Sequence, residues 1–126
     1  MARLALVSLG VLGGALLEAV ARRGVFEEIL IATRNVEGAI AKANNARIGA
    51  ALEGRYPNIS VVSFDMHAAD AASRIAEFGA DVVFCTPSMM PWWKLGRLDG
   101  ARRDLVRNAP FACFTACHLA PMLAFR

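Results

Sequence analysis

Ser8-Leu9-Gly10-Val11-Leu12-Gly13 follows a short apolar run, Leu4-Ala5-Leu6-Val7, and leads into a segment with helical spacing. Glycines at such a junction let backbone approach a ligand closely, and the helix they open offers free N–H groups and the positive end of a dipole. That combination suits the cradling of a pyrophosphate. Thr33-Arg34-Asn35 brings hydrogen-bond donors and one fixed positive charge. Asp65-Met66 sets a carboxylate after an apolar run, and Thr86-Pro87-Ser88 ends another run with two hydroxyls. Other reactive side chains are isolated. Cys85 has no visible base to make it a nucleophile. Cys113 and Cys117, with His118 next, lack the second cluster that a metal site of about four ligands needs. No metal site and no catalytic residue is assigned. His118 is a possible acid or base only in a more complete enzyme, and His67 reads as a surface residue at a helix start.

The dinucleotide fingerprint is G-x-G-x-x-G, set between a strand and a helix. This chain has S-x-G-x-x-G, with Ser8 in the place of the first glycine. Gly10 would let the backbone, with Val11 and Leu12, meet the phosphates. Gly13 would let the helix pack closely on the strand. The serine predicts a looser turn or a weakened cofactor site. At the end of the second strand an NAD site usually carries an acid that holds the ribose 2′-hydroxyl. Here the strand ends Ala32-Thr33-Arg34-Asn35 with no acid. Thr33, Arg34 and Asn35 could donate to a 2′-phosphate, which favours NADP over NAD. The plain alternative for Arg34 is a solvated loop charge.

These segments need elements to position them. "LALVS", Ile29 to Ala32, "ISVVSFD", "ADVVFCTPS" and "APFACFT" read as strands. The helix "GALLEAVARRG" sets Leu16, Leu17, Val20 and Ala21 on one face, and Gly24 stops it. "VEGAIAKANNARIGAALEGRYPN" is helical, with Ile40, Ala43, Ile48 and Leu52 as its recurring apolar positions. Arg47 there is either solvated or reaches a phosphate. "HAADAASRIAEFG" offers Ala69, Ala72, Ile75 and Ala76 as core contacts, and a further helix runs from Asp99 to Asn108. Alternating strands and helices predict an α/β fold, a doubly wound, Rossmann-like parallel sheet of about five strands in the order 3-2-1-4-5. Ligands of such sheets sit at the carboxyl ends of the strands, at the switch point. Ser8 to Gly13, Thr33 to Asn35, Asp65 and Cys85 to Ser88 all fall on that edge.

The chain's 126 residues suit a single domain. Its net charge of +3 comes from scattered residues, which suits an anionic ligand but does not argue for nucleic acid. Three cysteines without a dense framework fit a reducing cytoplasm. The 56% hydrophobic content predicts an apolar surface that meets more protein, as in a homo-oligomer. Met89-Met90-Pro91-Trp92-Trp93 would serve as a lid, a subunit contact or core packing. The opening stretch has two competing readings. Ala19-Val20-Ala21 imitates a leader cleavage site, but Glu18 fits it poorly. The run from Leu4 is broken at Glu18, short of the roughly 20 apolar residues that a spanning helix needs.

"LALVSLGVLGGALLEAVARRG", "EILIATRN" and "VVSFDMHAADAASRIAEFGADVVFCTPS" together resemble the NADP-binding domain of saccharopine dehydrogenase-like oxidoreductases. The resemblance runs from about residue 3 to residue 88, and its motifs are shared with many dinucleotide-binding families. It implies that Ser8, Gly10, Val11, Leu12 and Gly13 line the pyrophosphate and that Thr33, Arg34 and Asn35 meet the 2′-phosphate. Asp65 and Met66 would lie beside the adenine, and Thr86, Pro87 and Ser88 along the cofactor toward the nicotinamide. Ser8 departs from the family's glycine and Thr33 from its common aspartate. The family adds a substrate-binding domain after this one. The chain therefore reads as the N-terminal part of a longer oxidoreductase, unable to catalyse hydride transfer alone. The competing reading is a non-catalytic nucleotide-sensing or subunit-interaction module.

Overall fold

The structure, a computed structural model, describes residues 2–86 and 99–101. By its contacts the chain separates into two units, Met1–Thr86 and Pro87–Arg126, and the fold that follows is that of the first. Pro87, Ser88, Met89 to Trp93, the fifth strand, most of the helix from Asp99, and Cys113, Cys117 and His118 lie outside the described residues.

Strands and helices alternate: β1 (Ala2–Val7), α1 (Val11–Arg23), β2 (Phe26–Thr33), α2 (Val36–Leu52), β3 (Asn58–Ser63), α3 (Ala71–Phe78) and β4 (Val82–Cys85). The four strands form one parallel sheet in the order β3-β2-β1-β4. That matches the described part of the predicted order. β1 lies between β2 and β4, and Leu6 is opposite both Ile31 and Phe84.

The apolar runs form strands because they are covered on both faces. Leu4, Leu6, Ile29, Ile31 and Ile59 join one buried cluster with Leu17 and Ala21 of α1 and Ala39, Ala43, Ala46 and Ala50 of α2. The alternate residues Ala5, Val7, Leu30 and Ala32 are buried outside that cluster, as are Ala71 and Ile75 of α3. Right-handed crossovers account for this division. The chain moves from β1 to β3 in one direction and then returns past β1 to β4, which puts α3 on the face opposite α1 and α2.

Three sequence expectations need correction. In α2 the large apolar residues are not the core face: Ile40, Ile48 and Leu52 are exposed, and the buried stripe is Ala39, Ala43, Ala46 and Ala50. It is these methyl groups that join the buried cluster with α1 and the sheet. α3 starts only at Ala71, and it buries Ala71 and Ile75 while Ala69 and Ala76 are exposed. β2 begins at Phe26 rather than Ile29. Its Glu28 is accommodated there by an ion pair with Arg3 (Nε to Oε2 3.0 Å).

Arg3 organises the amino ends of the strands. Its N–H donates to Asp81 Oδ2 (2.8 Å) and its Nη1 to the Phe78 carbonyl (3.1 Å). That end is occupied by structural contacts. Among the described residues no helix is long and apolar enough to cross a membrane. The Leu4-to-Leu17 run is divided between β1 and α1, and cleavage after Ala21 would remove the strand at the centre of the sheet.

Candidate functional site

The turn from β1 to α1 is built on Ser8. Its N–H donates to the Ala32 carbonyl (2.8 Å), which joins the turn to the end of β2. Its φ is 70°, in the left-handed region where an L side chain is strained. Ser8 adopts a backbone suited to glycine and carries the strain. Relief of left-handed strain contributes about 1–2 kcal/mol, against about 0.5–1 kcal/mol for the added freedom of an unfolded glycine. Ser8→Gly should therefore raise stability by about 0.5–1 kcal/mol. A urea midpoint that rises at constant slope would show this, and an unchanged or lower midpoint would refute it.

Gly10 is the N-cap of α1 and Gly14 N–H bonds back to its carbonyl (3.0 Å). A Cβ at Gly10 would meet nothing within 4 Å. Among the described residues no side chain caps this helix and no acid stands in its first turn, so its leading N–H groups and the positive end of its dipole are left without a side-chain partner there. Val11 and Leu12, which start the helix, are exposed. Gly13 is in the opposite situation. A Cβ there would lie 3.1 Å from Thr86 Oγ1 and 3.2 Å from the Ser8 carbonyl oxygen. The close approach expected of Gly13 is present, and it is to the ends of both β1 and β4.

Thr86 closes the switch point. Its N–H donates to the Val7 carbonyl (3.1 Å), while its Oγ1 is buried without a hydrogen-bond partner among the described residues. A buried hydroxyl left unpaired costs free energy, and this one stands at the carboxyl edge of the sheet. Cys85 precedes it, half-buried. Burial pushes its thiol above the ordinary range, which keeps it protonated at neutral pH and makes it a poor nucleophile.

The turn after β2 divides its work. Thr33 is buried and its Oγ1 accepts from the Asn35 N–H (3.3 Å). Asn35 caps α2, with Oδ1 accepting from the Gly38 N–H (3.1 Å). Gly38 permits this, since a Cβ there would sit 2.7 Å from Asn35 Nδ2. Arg34, between them, is exposed and makes no hydrogen bond or ion pair with the described residues. It is the one residue of this turn whose polar head is not engaged. Asp65 is exposed and closes a local turn, with Oδ1 accepting from the His67 N–H (3.0 Å). The Phe64 N–H donates to the Thr33 carbonyl (3.0 Å), which sets Asp65 and the half-buried Met66 beyond the end of β3.

The structure thus brings Ser8, Gly13 and Thr86 into direct proximity, with Gly10 in the same turn, and puts Thr33, Arg34 and Asn35 at the end of the next strand. Arg47 is not part of this edge. Its guanidinium donates to Asn44 Oδ1 (2.7 Å) and to the Ile59 carbonyl, so it holds α2 to β3. Sequence reasoning missed Lys42. From α2 its Nζ reaches the carbonyls of Leu9 (3.0 Å) and Gly10 (3.3 Å). The available signal was its rarity, since no other lysine precedes Lys94. Neither a protein-family model nor a curated protein matches this chain, so the site is read from its own geometry.

Proposed function

We propose that this chain is the NADP-binding domain of an oxidoreductase resembling the saccharopine dehydrogenase-like enzymes, with a Rossmann-like sheet that extends to a fifth strand. The observation that carries the reading is the end of β2. It holds no carboxylate to repel a 2′-phosphate, and its one fixed charge, Arg34, is exposed and unengaged. The α1 turn supports the reading. Its geometry is glycine-like despite Ser8, the space over Gly10 is open, and the first N–H groups of α1 are not capped. These residues fit a dinucleotide, with the pyrophosphate at α1 and the adenosine end toward Arg34. A bound nicotinamide would supply or accept hydride. The substrate would be held by parts of an enzyme beyond this fold, in a reducing cytoplasmic setting.

The test is calorimetric titration with NADPH and NADH of the wild-type chain and of Arg34→Ala. NADPH should bind, and loss of the charge-assisted contact should weaken it roughly tenfold while NADH changes little. A folded chain that binds neither nucleotide would discard this reading. The second reading, a subunit-interaction module, would then stand on the exposed Ile48, Leu52 and Tyr56, a surface suited to self-association.

A further inference from the structure

The β1–α1 turn carries two carbonyl oxygens, those of Leu9 and Gly10, next to the end of a helix whose N–H groups attract anions. The Gly10 carbonyl also accepts the first helical bond from the Gly14 N–H (3.0 Å), and the partial negative charge of the pair would oppose a diphosphate brought there. Both are covered by one ammonium, Lys42 Nζ, at 3.0 and 3.3 Å. The lysine comes from α2, and its stem runs along α1 where Gly14 has no side chain, with Cδ 3.6 Å from the place of a Cβ. Among the described residues no carboxylate pairs with it. The first turn of α1 has no acid, and Lys42 makes no ion pair with the described residues. Its charge is therefore held at the turn by the two carbonyls, at an exposed position.

We propose that Lys42 is a positioning residue of the pyrophosphate turn, masking the Leu9 and Gly10 carbonyls and adding the positive charge that makes the turn accept a diphosphate. The role rests on the dinucleotide reading above and divides recognition within it. Lys42 serves the part common to NADP and NAD, whereas Arg34 serves the 2′-phosphate alone. The same lysine joins α2 to the turn, so the cation that favours the ligand also holds the two helices in register.

The experiment measures binding of NADPH, NADH and inorganic pyrophosphate to the wild type, Lys42→Met, Lys42→Arg and Arg34→Ala, over a range of salt concentrations. Lys42→Met should weaken both dinucleotides by similar factors, roughly tenfold, and flatten the dependence of affinity on salt. Lys42→Arg should restore most of the loss. Arg34→Ala should affect NADPH alone. A Lys42→Met chain that binds like the wild type overturns the proposal. So does one that binds weakly with an unchanged salt slope, because that is the mark of a purely structural bond. If Lys42→Met does not fold, Lys42→Gln replaces it with the same criteria. A wild type that binds pyrophosphate but neither dinucleotide discards the dinucleotide reading, and loss of pyrophosphate in the variant would still support Lys42. A wild type that binds none of the three overturns both.

Discussion

Gly13→Val lowers the unfolding free energy by about 3 kcal/mol, the upper end of what overpacking costs. A Cβ alone would be 3.1 Å from Thr86 Oγ1 and 3.2 Å from the Ser8 carbonyl oxygen. The carbonyl belongs to a backbone already held by the Ser8-to-Ala32 bond and strained at φ 70°, so it has little freedom to retreat. Two further methyls leave α1 no option but to lift from the ends of β1 and β4. Gly10→Ala is the contrasting case. Its Cβ would meet nothing within 4 Å and its φ of −79° suits any residue. Stability should stay within about 1 kcal/mol of the wild type, the scale of an N-cap change, while nucleotide binding falls because the methyl stands in the space a phosphate would use. Denaturant titration and nucleotide titration of the two variants separate these effects. Equal destabilisation by both substitutions would remove the distinction between a packing glycine and a ligand-facing one.

Leu6→Ala should be more severe still, about 4 kcal/mol, within the range for a buried leucine truncated in a core that cannot collapse. Leu6 is fully buried in the central strand, between Ile31 and Phe84. A loss of that size is a large part of the roughly 5–15 kcal/mol that holds a typical domain together. Leu52→Ala provides the control. Leu52 is 86% exposed, and truncation at the surface should change stability by less than about 0.5 kcal/mol. Comparable losses for Leu6 and Leu52 would mean that α2 packs through its large residues after all.

That control bears on what could be read in advance. The central strands were legible because Leu4 to Val7 and Ile29 to Ala32 are continuous apolar runs buried on both faces, and β3 because Ile59, Val61 and Val62 cluster between turn residues. Their order followed from the handedness of crossovers. The face of α2 was not legible. Periodicity favours large apolar residues, so Ile40, Ile48 and Leu52 outweighed the alanines, and of the expected positions only Ala43 faces the core. The amino end of β2 was missed for a related reason, since Glu28 looks like solvent until Arg3 is seen beside it. In the candidate site, Gly10, Gly13 and Arg34 were readable because a motif or the absence of an acid marks them. The conformation of Ser8 and the reach of Lys42 are properties of the folded chain. The first depends on backbone that a serine normally avoids, and the second links residues far apart in sequence.

The alanine stripe of α2 gives the helix an unusual leverage. Its 17 residues span about 25 Å at 1.5 Å per residue. Ala39 and Ala43 lie beside Lys42 and Asn35, while Ala46 and Ala50 carry the far half. One added methylene at Ala50 would act as a shim under the distant end of the helix, and the resulting tilt would carry to the glycine turn through Lys42. Evolution could therefore adjust ligand affinity here through substitutions that touch no ligand, in a part of the sequence that looks the least informative.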